Sequence, residues 1–152
     1  MTLDVTNIVL KNSLFGIKPG ISFNEAIEIL SLKYFIENDF KNDYTTIIIP
    51  EHGDYSNFNI QITFASQMFW YGLINISGEQ EVFCFGKKMN ENTTSESVKN
   101  ILNLSNVSFT EIETSKDDEL EIKFENESTF LFYHEDNTYY LQTIYWSKLE
   151  AR

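Results

Sequence analysis

The chain has 152 residues, with 23 acidic against 11 basic side chains, a net charge of −12 at neutral pH and one cysteine. A field of that sign repels phosphate, which excludes nucleic acids and anionic membrane surfaces as expected partners, and a single thiol cannot close an intramolecular disulfide. The length suits one domain over residues 1–152, large enough to bury roughly two thirds of its unfolded surface without a metal or a cross-link.

Thr2 to Leu14 alternates weakly through Leu3, Val5, Ile8 and Leu10 and predicts a strand or an extended edge segment. This opening carries Asp4 early and has neither a basic leader nor an apolar run of signal-peptide length. No segment approaches the roughly 20 apolar residues of a membrane span, so a cytoplasmic location is expected. Phe15-Gly-Ile-Lys-Pro-Gly20 is punctuated as a turn. Ser22 and Glu25 stand at capping-box spacing ahead of Phe23, Ile27, Leu30 and Tyr34. That predicts a helix from about Phe23 to Ile36 with one side packed on a sheet. Asn38 to Tyr44 reads as a loop, and Thr45 to Pro50, with three consecutive isoleucines, reads as a buried strand. Glu51 to Asn57 is a glycine-containing connection that holds His52.

The stretch from Phe58 to Phe85 alternates apolar and polar residues, breaks at Ala65-Ser-Gln67 and alternates again, which predicts a β-meander. Phe58, Ile60, Ile62 and Phe64 point one way, and Asn59, Gln61 and Thr63 the other. In the next strand Met68, Trp70, Ile74 and Ile76 are expected opposite Phe69, Tyr71 and Leu73, with both faces partly covered. Gly78-Glu79 turns the chain into a strand from Val82 to Phe85, where Cys84 reads as a small core residue. Lys87 to Thr94 is a polar linker.

A second helix is predicted from Ser95, with Thr93 and Glu96 at capping-box spacing and Val98, Ile101 and Leu102 as its buried edge. Strands follow at Val107 to Glu113, Leu120 to Glu125, Thr129 to His134 and Thr138 to Trp146. The last three alternate clearly and are joined by short connections at Asn126-Glu127 and Asp136-Asn137. The fold class is therefore α+β, two helices packed on largely antiparallel β-meanders. The halves 14–86 and 94–146 each read as a helix followed by about four strands. NIQITFASQMFWYG and EIKFENESTFLFYH share a strand, a polar turn and an aromatic strand, as a duplication would leave them.

No pattern carries recognisable chemistry. Six scattered glycines build no phosphate-cradling loop, and one cysteine with two histidines is a poor supply of zinc ligands. Neither His52 nor His134 adjoins a nucleophile-elbow sequence. Glu119, Glu121 and Glu125 fall on the polar side of an alternating strand, where a carboxyl stays ionised instead of being held neutral for acid catalysis. No enzymatic activity and no cofactor is expected.

Two surfaces rise above this background. Glu111, Glu113, Asp117, Asp118, Glu119 and Glu121, with Lys116 the one opposing charge among them, concentrate negative charge at one hairpin end. They read either as an ordinary solvated hairpin or as a decoy for the phosphate-binding groove of a cationic enzyme. The second surface is aromatic: Tyr139, Tyr140, Tyr145 and Trp146, with Phe130, Phe132 and Tyr133, exceed what one face of a small sheet must bury.

The run Leu14-Phe-Gly-Ile-Lys-Pro-Gly-Ile-Ser-Phe-Asn-Glu-Ala-Ile-Glu-Ile-Leu30 places a Lys-Pro-Gly turn before a capped helix. It resembles the opening of small bacterial immunity proteins encoded beside polymorphic or contact-dependent growth inhibition toxins, and it covers under an eighth of the chain. The segment is also similar to the glycine-turn-helix of small outer-membrane assembly lipoproteins, whose lipobox cysteine and signal peptide are not found here. The immunity resemblance implies a protein that binds a basic toxin domain and blocks its active site or substrate groove. The alternative is a non-enzymatic interaction or regulatory module, homodimeric through an exposed sheet edge; a third reading is a small-ligand binder with its pocket between helix and aromatic sheet.

Overall fold

The computed structural model describes residues 2–50, 58–77, 81–114 and 118–147. Strand predominates in a mixed, largely antiparallel α+β fold. A first meander runs through β2 (Phe35–Asp39), β3 (Tyr44–Pro50), β4 (Phe58–Ala65) and β5 (Met68–Asn75). A second runs through β8 (Thr110–Thr114), β9 (Glu119–Lys123), β10 (Thr129–Glu135) and β11 (Thr138–Trp146). The two join through their last strands into one eight-stranded antiparallel sheet of order β2-β3-β4-β5-β11-β10-β9-β8. A smaller sheet holds β1 (Thr2–Asp4), β6 (Glu81–Cys84) and β7 (Lys87–Met89), with β1 parallel to β6.

Three helices are described instead of two: α1 (Thr6–Lys11), α2 (Phe23–Ile29) and α3 (Ser95–Leu104). The segment read as a first strand contains α1 because Val5, Ile8 and Val9 are the buried positions, at helical spacing, while Leu10 stays 54% exposed. Helix α2 has the capping box foreseen for it, with Glu25 N donating to Ser22 Oγ and Ser22 N to Glu25 Oε1, both at 3.2 Å. It stops seven residues short of Ile36, since Phe35 to Asp39 extend instead to pair with β3. Sheet pairing overrides the helical spacing there. The predicted loop from Asn38 is consequently the end of a strand and a tight turn.

Val82 and Phe83 pair with β1 and Cys84 with β7, so the strand expected to continue the main meander belongs to the small sheet; the turn predicted at Gly78-Glu79 lies outside the described residues. The supposed linker after Lys87 holds β7, whose Met89 is fully buried. Helix α3 is capped by Thr94, which accepts from Ser97 N at 3.2 Å, and not by Thr93, whose hydroxyl accepts from Asn90 N at 2.9 Å. The strand expected from Val107 begins at Thr110.

The core lies between the eight-stranded sheet and the helices with the small sheet. Ile60, Ile62 and Phe64 enter it from β4, Phe130 and Phe132 from β10, and Ile144 and Trp146 from β11, all with no exposed surface. Trp146 lies over Gly72 of the adjacent strand and donates its indole N–H to the Ile17 carbonyl at 3.1 Å. Cys84 is buried, and burial, with a smaller push from Asp4, raises its thiol to about 12. It is an inert core residue.

The two meanders share three local features. The cap residues Ser22 and Thr94 bridge to Met68 and Tyr140, each on the last strand of its own meander. Beside each bridge Phe69 N donates to Ile21 O and Leu141 N to Thr93 O, both at 2.9 Å. The next residue in each strand, Trp70 and Gln142, is the extra residue of a β-bulge. The segments 59–72 and 121–134 compared in the sequence occupy β4–β5 and β9–β10.

Candidate protein-binding surface

Because side chains alternate across a strand, register with the core residues named above identifies what lies on the other side of the sheet, where Ile48, Thr63, Thr129 and Thr143 are themselves buried. Tyr71 and Leu73 on β5, Tyr145 on β11, Leu131 and Tyr133 on β10, and Glu119 and Glu121 on β9 all fall opposite the core. These residues are half-buried. The described helices pack on the core side: Phe23 of α2 meets Phe64 edge-on at 5.5 Å, Lys99 of α3 reaches Glu111, and Ile8 and Val9 of α1 join the core.

Tyrosines and carboxylates are neighbours on the open face. Burial raises the Tyr145 phenol above its ordinary range, and the charges of Tyr71, Glu119 and Glu121 push it the same way. Tyr133 lies 5.9 Å from Tyr140, ring centre to ring centre, and is likewise held up, by desolvation first and then by Glu135 and Glu91. Of the aromatic set singled out in the sequence, Phe130, Phe132 and Trp146 are core residues, Tyr139 leans on the core, and Tyr133, Tyr140 and Tyr145 remain for the open side.

The acidic cluster is divided by the sheet. Glu111 and Glu113 stand opposite Ile122 and Leu120, on the helix side. There Glu111 accepts from Lys99 Nζ at 2.9 Å, in an ammonium shared with Glu96 at 2.6 Å. Glu113 accepts from the Tyr139 hydroxyl at 2.5 Å. Asp118, in the turn, lies 3.1 Å from His134 Nδ1, which accounts for that histidine as a hydrogen-bonded structural residue. Glu119 and Glu121 take the open face. Asp117 lies outside the described residues, as does His52.

The contact between Glu113 and Tyr139 makes a pH prediction. The hydrogen bond, followed by desolvation, pushes the phenol from its ordinary 10.0 up to about 12. A folded-state value above the unfolded one means that this contribution to stability is fully present below pH 10 and is lost as pH rises through about 12. Glu113→Gln is expected to return Tyr139 toward 10 in an NMR titration of its ring carbons. An unmoved titration would show that the bond is absent in solution.

A feature that alternation alone misplaced lies at the β2 end of the open face. Thr63 pairs with Tyr71 and Phe64 with Phe69, so Trp70 is the inserted residue of a bulge. A bulge sends two successive side chains to one side. Trp70 therefore joins Tyr71, at 5.2 Å between ring centres, and Tyr44, at 4.9 Å, instead of Ile74 in the core. The sequence signal was the uninterrupted Phe69-Trp-Tyr71 triplet, since three large rings in a row cannot all alternate into one core.

Among the described residues no three His, Cys, Asp or Glu side chains gather as metal ligands, and no helix is long and apolar enough to cross a membrane. No protein-family model, curated protein or solved structure matches the chain significantly. The functional reading accordingly stands on the residues and their arrangement.

Proposed function

We propose that this chain is a toxin-neutralising immunity protein that works in the cytoplasm by binding a basic toxin domain and covering its active site or substrate groove, without catalysis of its own. The observation that carries the reading is the open face of the eight-stranded sheet. Half-buried tyrosines and a tryptophan share it with the carboxylates of Glu119 and Glu121 at one end and of Glu37 and Asp39 at the other. Aromatic anchors with a charged surround suit a protein interface, and the sign favours a cationic partner. In this reading Glu119 and Glu121 meet the toxin directly, Asp117 and Asp118 add charge at the hairpin end, and Glu111 and Glu113 extend the field along the edge.

The matching caps, bridges and bulges support descent of both meanders from one helix-plus-four-strand unit. Homodimerisation through a sheet edge fits less well. The edge strands β2 and β8 carry Glu37, Asp39, Glu111 and Glu113, and like charges on an exposed edge oppose pairing with a copy. The decisive experiment is affinity capture from the source cells followed by expression of the captured protein alone. That protein is expected to arrest growth, and co-expression of this chain to restore it. A captured partner that leaves growth untouched overturns the immunity reading.

A further inference from the structure

We infer that the cleft between β2 and β5 on the open sheet face is a pocket for an arginine side chain supplied by a protein partner. The cleft has a volume of about 390 Å³. Tyr44, Trp70 and Tyr71 supply its aromatic wall, and Glu37 and Asp39 its carboxylates; among the described residues no lysine, arginine or histidine lines it. The Tyr44 and Trp70 rings lie 4.9 Å apart at 40°, and Trp70 stands at 82° to Tyr71. Such an arrangement offers a ring face and a ring edge within one recess.

Two features fit a guanidinium better than an ammonium. Arginine is flat and weakly hydrated, so it stacks on an indole or phenol face at lower desolvation cost than lysine. Its fork also matches a carboxylate, with two parallel N–H donors. Asp39 is already held in place, accepting from the Asn42 side chain at 2.8 Å and from Asn42 N at 3.3 Å. A carboxylate has about four lone-pair sites, so both of its oxygens can accept further donors. On the cleft wall the Thr46 and Thr63 hydroxyls are 3.1 Å apart and share one hydrogen bond; being neutral, they leave the carboxylates as the groups that most favour a cation.

The bulge does not require a tryptophan. Its counterpart in the second meander is Gln142, at the same step beyond an equivalent bridge. The aromatic cleft is therefore particular to the first meander and breaks the match between the two. The cation is assigned to a protein because Phe40, in the turn between Asp39 and Tyr44, is 88% exposed. A free phenylalanine beside the cleft gives an apolar contact that a small cation would not use. The inference rests on the binding reading above only for the owner of the arginine.

The test is a heteronuclear NMR titration of the intact chain with N-acetyl-arginine amide, and with N-acetyl-citrulline amide as the uncharged isostere. The Trp70 indole N–H and the Thr46 and Thr63 amides are expected to shift and saturate at millimolar arginine amide and to stay still with citrulline. Glu37→Gln, an exposed and conservative change, is expected to weaken the arginine response at least fivefold. Trp70→Leu should abolish it while the remaining spectrum stays dispersed. Equal responses to arginine and citrulline, no response in the cleft, or tighter binding of tetramethylammonium than of arginine amide would each overturn the assignment. No toxin is needed, so a failure here leaves toxin occlusion standing. A chain that takes arginine yet rescues no growth keeps the pocket and loses the immunity reading.

Discussion

Alanine at position 72 is expected to cost the fold about 3 kcal/mol, at or beyond the upper end of ordinary overpacking. A Cβ on Gly72 would fall well inside contact distance of the Cη2, Cζ2 and Cε2 atoms of Trp146. The indole has no room to give way. It is fully buried, is tied through its N–H to Ile17 O and lies stacked 6.0 Å from Phe69. Urea unfolding of Gly72→Ala beside Gly20→Ala makes the comparison. Gly20 has φ +96 with open space around its Cβ position, so alanine there costs only the backbone strain of roughly 1 kcal/mol. Gly72→Ala paired with Trp146→Phe should recover part of the loss relative to the sum of the single changes. A Gly72→Ala protein within about 1 kcal/mol of the parent would show that the ring does not lie over β5 in solution.

If the proposed toxin binding holds, lysine at both Glu119 and Glu121 is expected to lower affinity for that partner about a hundredfold, near 2.7 kcal/mol. Most of the loss should be in the association rate, and it should shrink as salt is added. Lysine at both Glu111 and Glu113 makes the same change in net charge on the helix side of the same hairpin. Those substitutions should cost less than about fivefold, because the carboxylates already face Lys99 and Tyr139. Surface plasmon resonance at two ionic strengths, with circular dichroism to confirm folding, separates the pairs. If both pairs lowered affinity equally, net charge and not the open face would be what the proposed partner senses.

The β11 boundaries, Thr138 to Trp146, were legible in the sequence, because the Asp136-Asn137 turn sets the start and the aromatic and β-branched run ends at Trp146, even though the bulge at Gln142 was not foreseen. The same held for the capping box at Ser22 and Glu25, which is a local device whose partners lie within one turn. What failed was non-local. Phe35 and Ile36 were read as the end of a helix, and Asn38 and Asp39 as a loop, but all found a strand partner in β3; Val82 and Phe83 continued an alternating pattern yet paired with β1, some eighty residues earlier. The acidic hairpin was legible as a concentration of charge, but not its division. Strand register decides which carboxylates meet Lys99 and which lie on the opposite face of the sheet. The cleft at Trp70 needed a one-residue insertion to be recognised: the bulge puts Phe69 on the core side with Ile74 and sends Trp70 to the other face with Tyr71, which simple alternation could not show.

The seam between β5 and β11 also shapes how the chain reaches this state. On the ribosome the first meander is complete some sixty residues before β11 is made, and throughout that interval β5 is a bare border with a hydrophobic flank. Gly72 waits uncovered until the Trp146 indole closes over it. The nascent chain thus passes through a half-built sheet with open valences, a species prone to self-association, and its protection comes only with the final strand of the second meander.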